Sequence, residues 1–430
     1  MVVDQRLLAA LRDRLSGQYE AMVNDLATLV RTPSVVGHEG PAQAKVAAMY
    51  RRMGWSTEQF EADYRTVSAH PAYCGWREEP GAYAGRPNVV ATWVGKPEGR
   101  SLILNGHVDT VSPEPVGEWS HDPFGAEIVE DRMYGRGAND MKSGLVAAAY
   151  ALLAIRDCGV RPVGTVTLQS VIEEEAGGGG GTLACFLKGY RAKAFVAVEP
   201  TRGQVRIASA GILYFRVRVK GRTAHAGNAH LGVNAIRGLN RIAQALFELD
   251  ERRGREVRYP LFESGSAGRS CHLSLGTVRG GDWPSTVCGW VDLEGRLSYV
   301  PGETRTGLKQ QLEEAVAAAA AGDRWLAEHP PAVEWFGWRC EPRYEDPTQP
   351  WLQVLRRSAE VALGKRVEFV GRASGVDSRF AHMFGAPGVC FGTAGENNHG
   401  IDEYTDLRRL VPTALALALA TLEWCGVERA

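Results

Sequence analysis

Five short stretches of the chain place a histidine or a carboxylate where an apolar run stops. His107-Val-Asp109 follows the run at 102–104, and Glu173-Glu-Glu175 closes the run at 165–172. Glu199 ends the run at 194–198, and His399 lies in Glu396-Asn-Asn-His-Gly-Ile-Asp-Glu403, after a run near 389. Asp140 stands in Gly135-Arg-Gly-Ala-Asn-Asp-Met-Lys142, just before an apolar segment that begins at Gly144. Each motif alone has a plain explanation: a lone histidine is usually a surface or satisfied core residue, and three successive glutamates are usually a solvated cluster. Here the glutamates directly follow Val166, Leu168 and Val171 and precede glycines. Burying carboxylates without counterions is costly, so a cation is the expected partner. Two histidines with three or more carboxylates suit zinc, or a pair of metals sharing a bridging carboxylate. Asp109, two residues after His107, is spaced to accept the proton on the other imidazole nitrogen.

Positioning these groups requires a layered scaffold. Leu7, Leu8, Leu11 and Leu15 share one helical face, as do Met22, Leu26, Leu29 and Val30, and Thr32-Pro-Ser34 breaks that pattern. A helix is expected at 41–53, stopped by Gly54. Strands are expected at 88–94, 102–104, 165–172 and 194–198, with a helix at 182–188. Continuous apolar strands alternating with helices predict an α/β domain with a mostly parallel sheet. Ligands gather outside the carboxyl ends of such strands, where the five motifs fall.

After Pro200 the pattern changes. Residues 212–220 alternate strictly, with Leu213, Phe215, Val217 and Val219 on one side. A helix at 234–249, strands at 271–278 and 287–297, a helix at 303–321 and a strand at 332–338 complete a β-α-β-β-α-β order. A helix at 351–363, a strand near 389–391 and a helix near 410–424 then resume the α/β pattern. The expected organisation is a catalytic domain of residues 1–208 and 341–430, interrupted by a smaller α+β domain at 209–340. The segment 70–86 is rich in Pro, Gly and aromatics, including Tyr73, Trp76 and Tyr83, and reads as a loop. It serves either surface packing or the substrate.

The composition narrows the partners. The 430 residues are 44% hydrophobic and 23% charged, with a net charge of -1, which is ordinary for a globular protein. A balanced charge supplies no electrostatic reason for nucleic acid or an anionic membrane as partner. The eight cysteines form no C-x-x-C pair, and residues 1–15 have charges in every apolar run, unlike a secretory leader. The longest apolar stretches, at 144–155 and 413–422, are too short to span a bilayer. The expectation is a cytoplasmic protein with reduced thiols. No Lys-Ser/Thr follows the glycines at 177–181, so they are not a phosphate loop; a close turn beside the metals is expected instead.

The ordered set H-x-D-T, G-R-G-x-x-D-M-K, E-E-E-x-G, V-E-P and H-x-x-D-E resembles the di-zinc amidohydrolase family of acetylornithine deacetylase, succinyl-diaminopimelate desuccinylase, aminoacylase and carboxypeptidase G. The resemblance covers nearly the whole chain and includes Arg86-Pro-Asn-Val-Val90, Trp119-Ser-His-Asp-Pro-Phe124 and Gly221-Arg-Thr-Ala-His-Ala226. It implies two divalent metal ions per subunit, zinc with cobalt or manganese as alternatives. His107 and Glu199 match ligands of one metal, Glu175 and His399 ligands of the other, and Asp140 the bridging carboxylate. Glu174 matches the general base and Asp109 the residue that orients His107. His225 matches a histidine of the inserted domain that reaches the partner subunit's site, which implies a homodimer through 209–340. Arg296 and Arg379 are similar in position to arginines that hold a substrate carboxylate. A cis peptide between Asp140 and Met141 is also implied.

The activity that the resemblance implies is hydrolysis of the amide of a small N-acyl amino acid or related N-acylated amine. A dipeptidase or carboxypeptidase uses the same chemistry, and a deformylase of an N-formylated heterocyclic amine is a further member. A catalytically inactive ligand-binding or partner-binding homologue is disfavoured, because the ligands and Glu174 are all present. Two departures stand out. Glu173 replaces a common Asp, and 280–287 lacks an Asn that many relatives carry near Ser285.

Overall fold

Four apolar segments form the centre of one sheet in the computed structural model, which describes residues 3–75, 77–263 and 268–429. Trp76 lies outside the described residues. The chain divides into two units. The first comprises Met1–Ile207, Glu345–Val370 and Val376–Ala430. In its sheet, Val166–Val171, Leu102–His107, Ala194–Ala197 and Gly388–Cys390 lie side by side and parallel. Asn88–Trp93 and Thr57–Phe60 extend one side antiparallel, and Arg206 of Val205–Ser209 pairs with Cys390 on the other.

Every residue of the four central strands is buried, as expected where helices cover both faces of a parallel sheet. Helices Ser143–Asp157 and Leu410–Cys425 are apolar almost all round and almost wholly buried, and they pack together. The helix expected at 182–188 differs. It is preceded by a wider turn at Gly179–Leu183, and the α-helical part is only Ala184–Leu187. Glycines at 179–181 have low helix propensity, which accounts for the shorter helix.

A second small sheet of this unit was not expected. Gly395–Glu396, Tyr404–Asp406, Arg132–Tyr134 and Glu127–Val129 pair antiparallel in that order. It ties the loop that carries His399 to the loop that carries Asp140.

The second unit comprises Ala208–Tyr344 and Gly371–Gly375. It differs from the 209–340 expected from sequence by including residues 208 and 341–344 and the stretch 371–375. Ala210 N donates to Ser374 O at 3.1 Å, and a Cβ on Gly375 would lie 2.9 Å from Trp338 and 3.1 Å from Ile212, so this stretch packs within the second unit. Its four-stranded sheet has the order Leu273–Gly280, Trp290–Tyr299, Gly211–Lys220, Ala332–Cys340, all antiparallel. Leu213, Phe215, Val217 and Val219 bury against Ile242, Leu246 and Leu249 of helix Ala235–Glu256 and Leu308, Leu312 and Val316 of helix Arg305–Ala321. The architecture is the expected α/β layered unit together with a β-α-β-β-α-β unit.

Helix Ala235–Glu256 runs two turns beyond its expected end. The core-facing spacing 242, 246, 249 continues to Arg253, a charged residue that obscured the periodicity. Arg253 is buried because its guanidinium holds both oxygens of Glu303 at 2.9 Å and Gln311 Oε1 at 2.8 Å.

Candidate metal centre

The parallel strands deliver their chemistry to one edge. Leu102–His107 ends on His107 itself, which is 1% exposed. His107 Nδ1 stands 2.9 Å from the main-chain oxygen of Asp109. A carbonyl only accepts, so Nδ1 carries the hydrogen and Nε2 is the nitrogen left to bind a metal. Nε2 faces Asp140 Oδ1 at 3.3 Å, Glu199 Oε1 at 3.8 Å and Glu174 Oε2 at 4.0 Å.

Asp109 therefore acts differently from the sequence expectation. Its carboxylate is 3.6 Å from His107 Nδ1, and its oxygens accept from Glu174 N at 3.2 Å and Glu175 N at 3.0 Å. The main chain of Asp109 orients the imidazole, while its side chain fixes the turn Glu174–Ala176.

Asp140 is aimed in two directions. Oδ1 faces His107, whereas Oδ2 lies 3.7 Å from His399 Nε2 and accepts from Asn398 Nδ2 at 3.0 Å. His399 Nε2 is 3.0 Å from Glu175 Oε1. The Asp140–Met141 peptide is cis. The loop before it is held by Glu403, a fully buried carboxylate that sequence reasoning left without a role. Oε1 accepts from Asn139 N at 3.1 Å and Asp140 N at 3.0 Å. Oε2 accepts from Gly137 N at 3.1 Å and from Arg136 Nη1 at 2.7 Å. The signal available in the sequence was Arg136 between two glycines, a loop needing an anion.

The donors meet the requirements of metal binding. One nitrogen or oxygen from each of His107, Glu174 and Glu199 lies within 4.8 Å of the others, and the same holds for His107, Asp140 and Glu175. The electrostatics agree. Burial, then Glu199, pushes the Glu174 carboxyl well above its usual range; burial, then Asp140, raises Glu199 to about 7. Glu175 lifts His399 to about 9. These carboxylates repel one another in a desolvated pocket, and divalent cations relieve that repulsion. The oxygen and imidazole donor set fits two such ions.

The two arginines expected to hold a substrate carboxylate fare differently. Arg379 is 2% exposed, and its guanidinium donates to Gly177 O, to Val376 O at 3.0 Å and to Asp377 Oδ1 at 3.2 Å. It braces the glycine turn rather than presenting a free fork. Arg296 belongs to the second unit, on strand Trp290–Tyr299, where Nη2 donates to Ala373 O at 3.3 Å. His225 is exposed in that unit and caps the turn Ala226–Leu231, its Nδ1 accepting from Gly227 N at 3.1 Å.

Known proteins share this arrangement of sequence and fold. The profile of peptidase family M20/M25/M40 matches residues 103–423. The N-formyl-4-amino-5-aminomethyl-2-methylpyrimidine deformylase of Bacillus subtilis is 28% identical over 368 residues, covering 81% of this chain and 85% of the relative. Its namesake from Halalkalibacterium halodurans is 27% identical over 369 residues with the same coverage. Human carnosine dipeptidase 1 shares the fold at a TM-score of 0.75 and 16% identity, over 97% of this chain and 99% of that one. An M20 family metallo-carboxypeptidase from Sulfolobus solfataricus does so at 0.70 and 16%, over 94% and 98%. The chain belongs to peptidase family M20/M25/M40 and is a metal-dependent amide hydrolase.

Proposed function

We propose that the protein removes a short acyl group from a small N-acylated amine. The observation that carries this reading is Asp140, whose two oxygens face His107 and His399 while Glu174 stands at the same strand edge. His107, Glu199 and Asp140 would hold one divalent ion, and His399, Glu175 and Asp140 the second. Zinc is the proposed metal, with cobalt or manganese as alternatives. When bound, the ions supply Lewis acidity to water and to the amide carbonyl. Glu174 accepts a proton from water at its carboxylate and returns it to the leaving nitrogen. Asp109 holds the turn that carries Glu174, and the Asp109 carbonyl keeps His107 in the tautomer that presents Nε2.

A formyl group on a heteroaromatic amine is a specific second reading within this class. It is favoured by the two deformylases and by Arg379, whose donors are spent inside the fold and not on a substrate carboxylate. Arg296 remains the candidate for a carboxylate if the substrate is an N-acyl amino acid.

We also propose a homodimer through residues 209–340, with His225 serving the partner's site and stabilising the developing oxyanion. In support, His225 is exposed, and Leu231, Ile236, Phe247 and Val278 of the same unit expose large apolar side chains. A cytoplasmic setting is supported by eight cysteines free of disulfides. Among the described residues no helix is long and apolar enough to cross a membrane.

The test is a hydrolysis screen of N-formyl, N-acetyl and N-succinyl amines and dipeptides, on protein stripped by chelator and reloaded with zinc, cobalt or manganese. The expected result is metal-restored hydrolysis, with short acyl amines cleaved fastest. Fastest turnover of dipeptides would replace this reading by a peptidase. No amide hydrolysis by fully loaded protein would remove it.

A further inference from the structure

The five glycines at 177–181 and the aromatic segment at 70–86 explain one another. Gly179 N donates to Cys74 O at 3.1 Å, and Cys74 Sγ lies 3.4 Å from Gly177 O. A Cβ on Gly180 would come within 2.0 Å of Tyr83 Cε1, and one on Gly179 within 2.7 Å of Tyr73 Cδ2. Glycine is what allows the two rings to lie against the turn.

Both rings are almost completely buried, at 3% exposure for Tyr73 and 2% for Tyr83. Their hydroxyls are 2.9 Å apart, and the Tyr83 hydroxyl donates to Glu173 Oε2 at 3.0 Å. The same oxygen accepts from Gly180 N at 2.8 Å. Arg86, which grips Glu39 with bonds of 2.7 and 2.6 Å, stands 3.9 Å from Glu173 Oε1. The main chain closes over this junction at Gly75. A Cβ there would lie 2.7 Å from the Tyr73 hydroxyl, 3.0 Å from that of Tyr83 and 3.2 Å from Glu173 Oε1. Burial pushes the Tyr73 hydroxyl up to about 12 and that of Tyr83 higher still, so both remain donors at any working pH.

Glu173 needs such support. Its φ of 67° is left-handed, a region that is strained for a residue with a side chain. The turn depends on that conformation, because Gly178 N and Ala176 N both donate to Glu173 O, at 2.7 and 3.2 Å. Glutamate, one methylene longer than the aspartate common at this position, is the residue that reaches Tyr83.

We propose that residues 70–75 and 77–86 form a strap whose Tyr73–Tyr83 hydroxyl pair locks Glu173, making Tyr83 and Glu173 positioning residues for Glu174. The proposal rests on the reading of Glu174 as the proton-transfer group. Asp109 holds the main chain of Glu174 from one side, and Glu173 fixes the preceding residue from the other. The carboxylate is thus aimed before substrate arrives, and a displacement of about 1 Å costs on the order of 100-fold in rate.

The experiment is a double-mutant cycle of Tyr83→Phe and Glu174→Gln on metal-loaded protein, with kcat, KM and bound metal measured. Tyr83→Phe is expected to lower kcat about ten-fold at unchanged KM and metal content. That loss should vanish in the Glu174→Gln background, where no proton acceptor remains to be positioned. Wild-type kcat in Tyr83→Phe, or the same fold-loss in both backgrounds, overturns the proposal. Glu173→Asp keeps the charge and shortens the reach; it should repeat the kcat loss, and wild-type kcat there also overturns it. Wild-type turnover of Glu174→Gln alone would instead remove the base assignment, and the strap's role with it.

Discussion

Replacing Glu403 by glutamine tests whether one buried carboxylate holds the Asp140 loop. The wild-type side chain is 0% exposed and accepts four hydrogen bonds, two at each oxygen. In either amide orientation of Gln, an NH2 group faces two donors. Two charge-assisted bonds at about 1.5–3 kcal/mol each are lost, a gross 3–6 kcal/mol. Burial, then the nearby Asp140 charge, raises the Glu403 pKa, so part of that gain is already offset in the wild type. The expected net loss is therefore near the lower end, about 3 kcal/mol. Because the loop carries Asp140, the carboxylate proposed to serve both ions, metal affinity should fall about 10–100-fold, the usual effect of losing a partner that supports a ligand. Titration calorimetry of zinc into chelator-stripped protein reads the affinity, and urea unfolding of the same samples reads the stability. Wild-type affinity for both ions, together with an unchanged unfolding midpoint, would refute the clamp.

Other expectations can be checked independently. Glu174→Gln should retain both ions by elemental analysis and lose about 10²–10⁴-fold in kcat, because the amide cannot accept the proton; loss of an ion would make Glu174 a ligand instead. With His225 serving the partner's site as proposed, mixing inactive Glu174→Gln chains with inactive His225→Ala chains should restore activity, since a mixed dimer would hold one site with both groups intact. Exchanged dimers that stay inactive would end the assignment in trans. Arg253→Ala should destabilise the protein by about 2–4 kcal/mol in urea unfolding, because it strips Glu303 of its bidentate partner inside a core-facing helix position. A change below about 0.5 kcal/mol, the scale of an ordinary surface substitution, would show that the pair is not structural.

Which parts of this molecule could be read in advance follows from the range of the signal. Residues 166–171 and 102–107 are continuous apolar runs, and 212–220 alternates with period two; such patterns are visible within one segment. His107, Asp140, Glu175, Glu199 and His399 could be grouped because each sits at the end of such a segment or opens a loop beside one. The small sheet carries no such pattern. Its strands are two or three residues long, Gly395–Glu396, Tyr404–Asp406, Arg132–Tyr134 and Glu127–Val129, too short to show a period. Yet that sheet brings His399 and Glu403 to Asp140. Arg379 was expected to meet a substrate because it is similar in position to arginines that hold a substrate carboxylate in the resembled family. Asp377, two residues earlier, was the sign that its partner is internal.

The pattern that sequence reasoning missed most consistently is how the carboxylates of the centre are held. Carboxylates around the strand edge are held largely by neutral main-chain donors: Asp109 by Glu174 N and Glu175 N, Glu173 by Gly180 N, and Glu403 by Gly137 N, Asn139 N and Asp140 N. Asp140 itself takes its side-chain donor from the neutral amide of Asn398. The guanidinium groups partner the supporting carboxylates: Arg136 on Glu403, Arg86 on Glu39 and 3.9 Å from Glu173, Arg379 on Asp377. An amide N–H orients a carboxylate and leaves its charge in place, whereas an arginine against Asp140 or Glu175 would compensate that charge and compete with a divalent ion. Backbone donors cannot be recognised from residue types, since every residue but proline has one. What a sequence can display is the conformational allowance they need, and here it does so in Gly135, Gly137 and the glycines at 177–181. Placing an arginine at Asn398, next to Asp140, should accordingly displace metal even though it adds an ion pair. An Asn398→Arg variant that keeps both ions at wild-type affinity would show that neutral donors are not what leaves the centre open to cations.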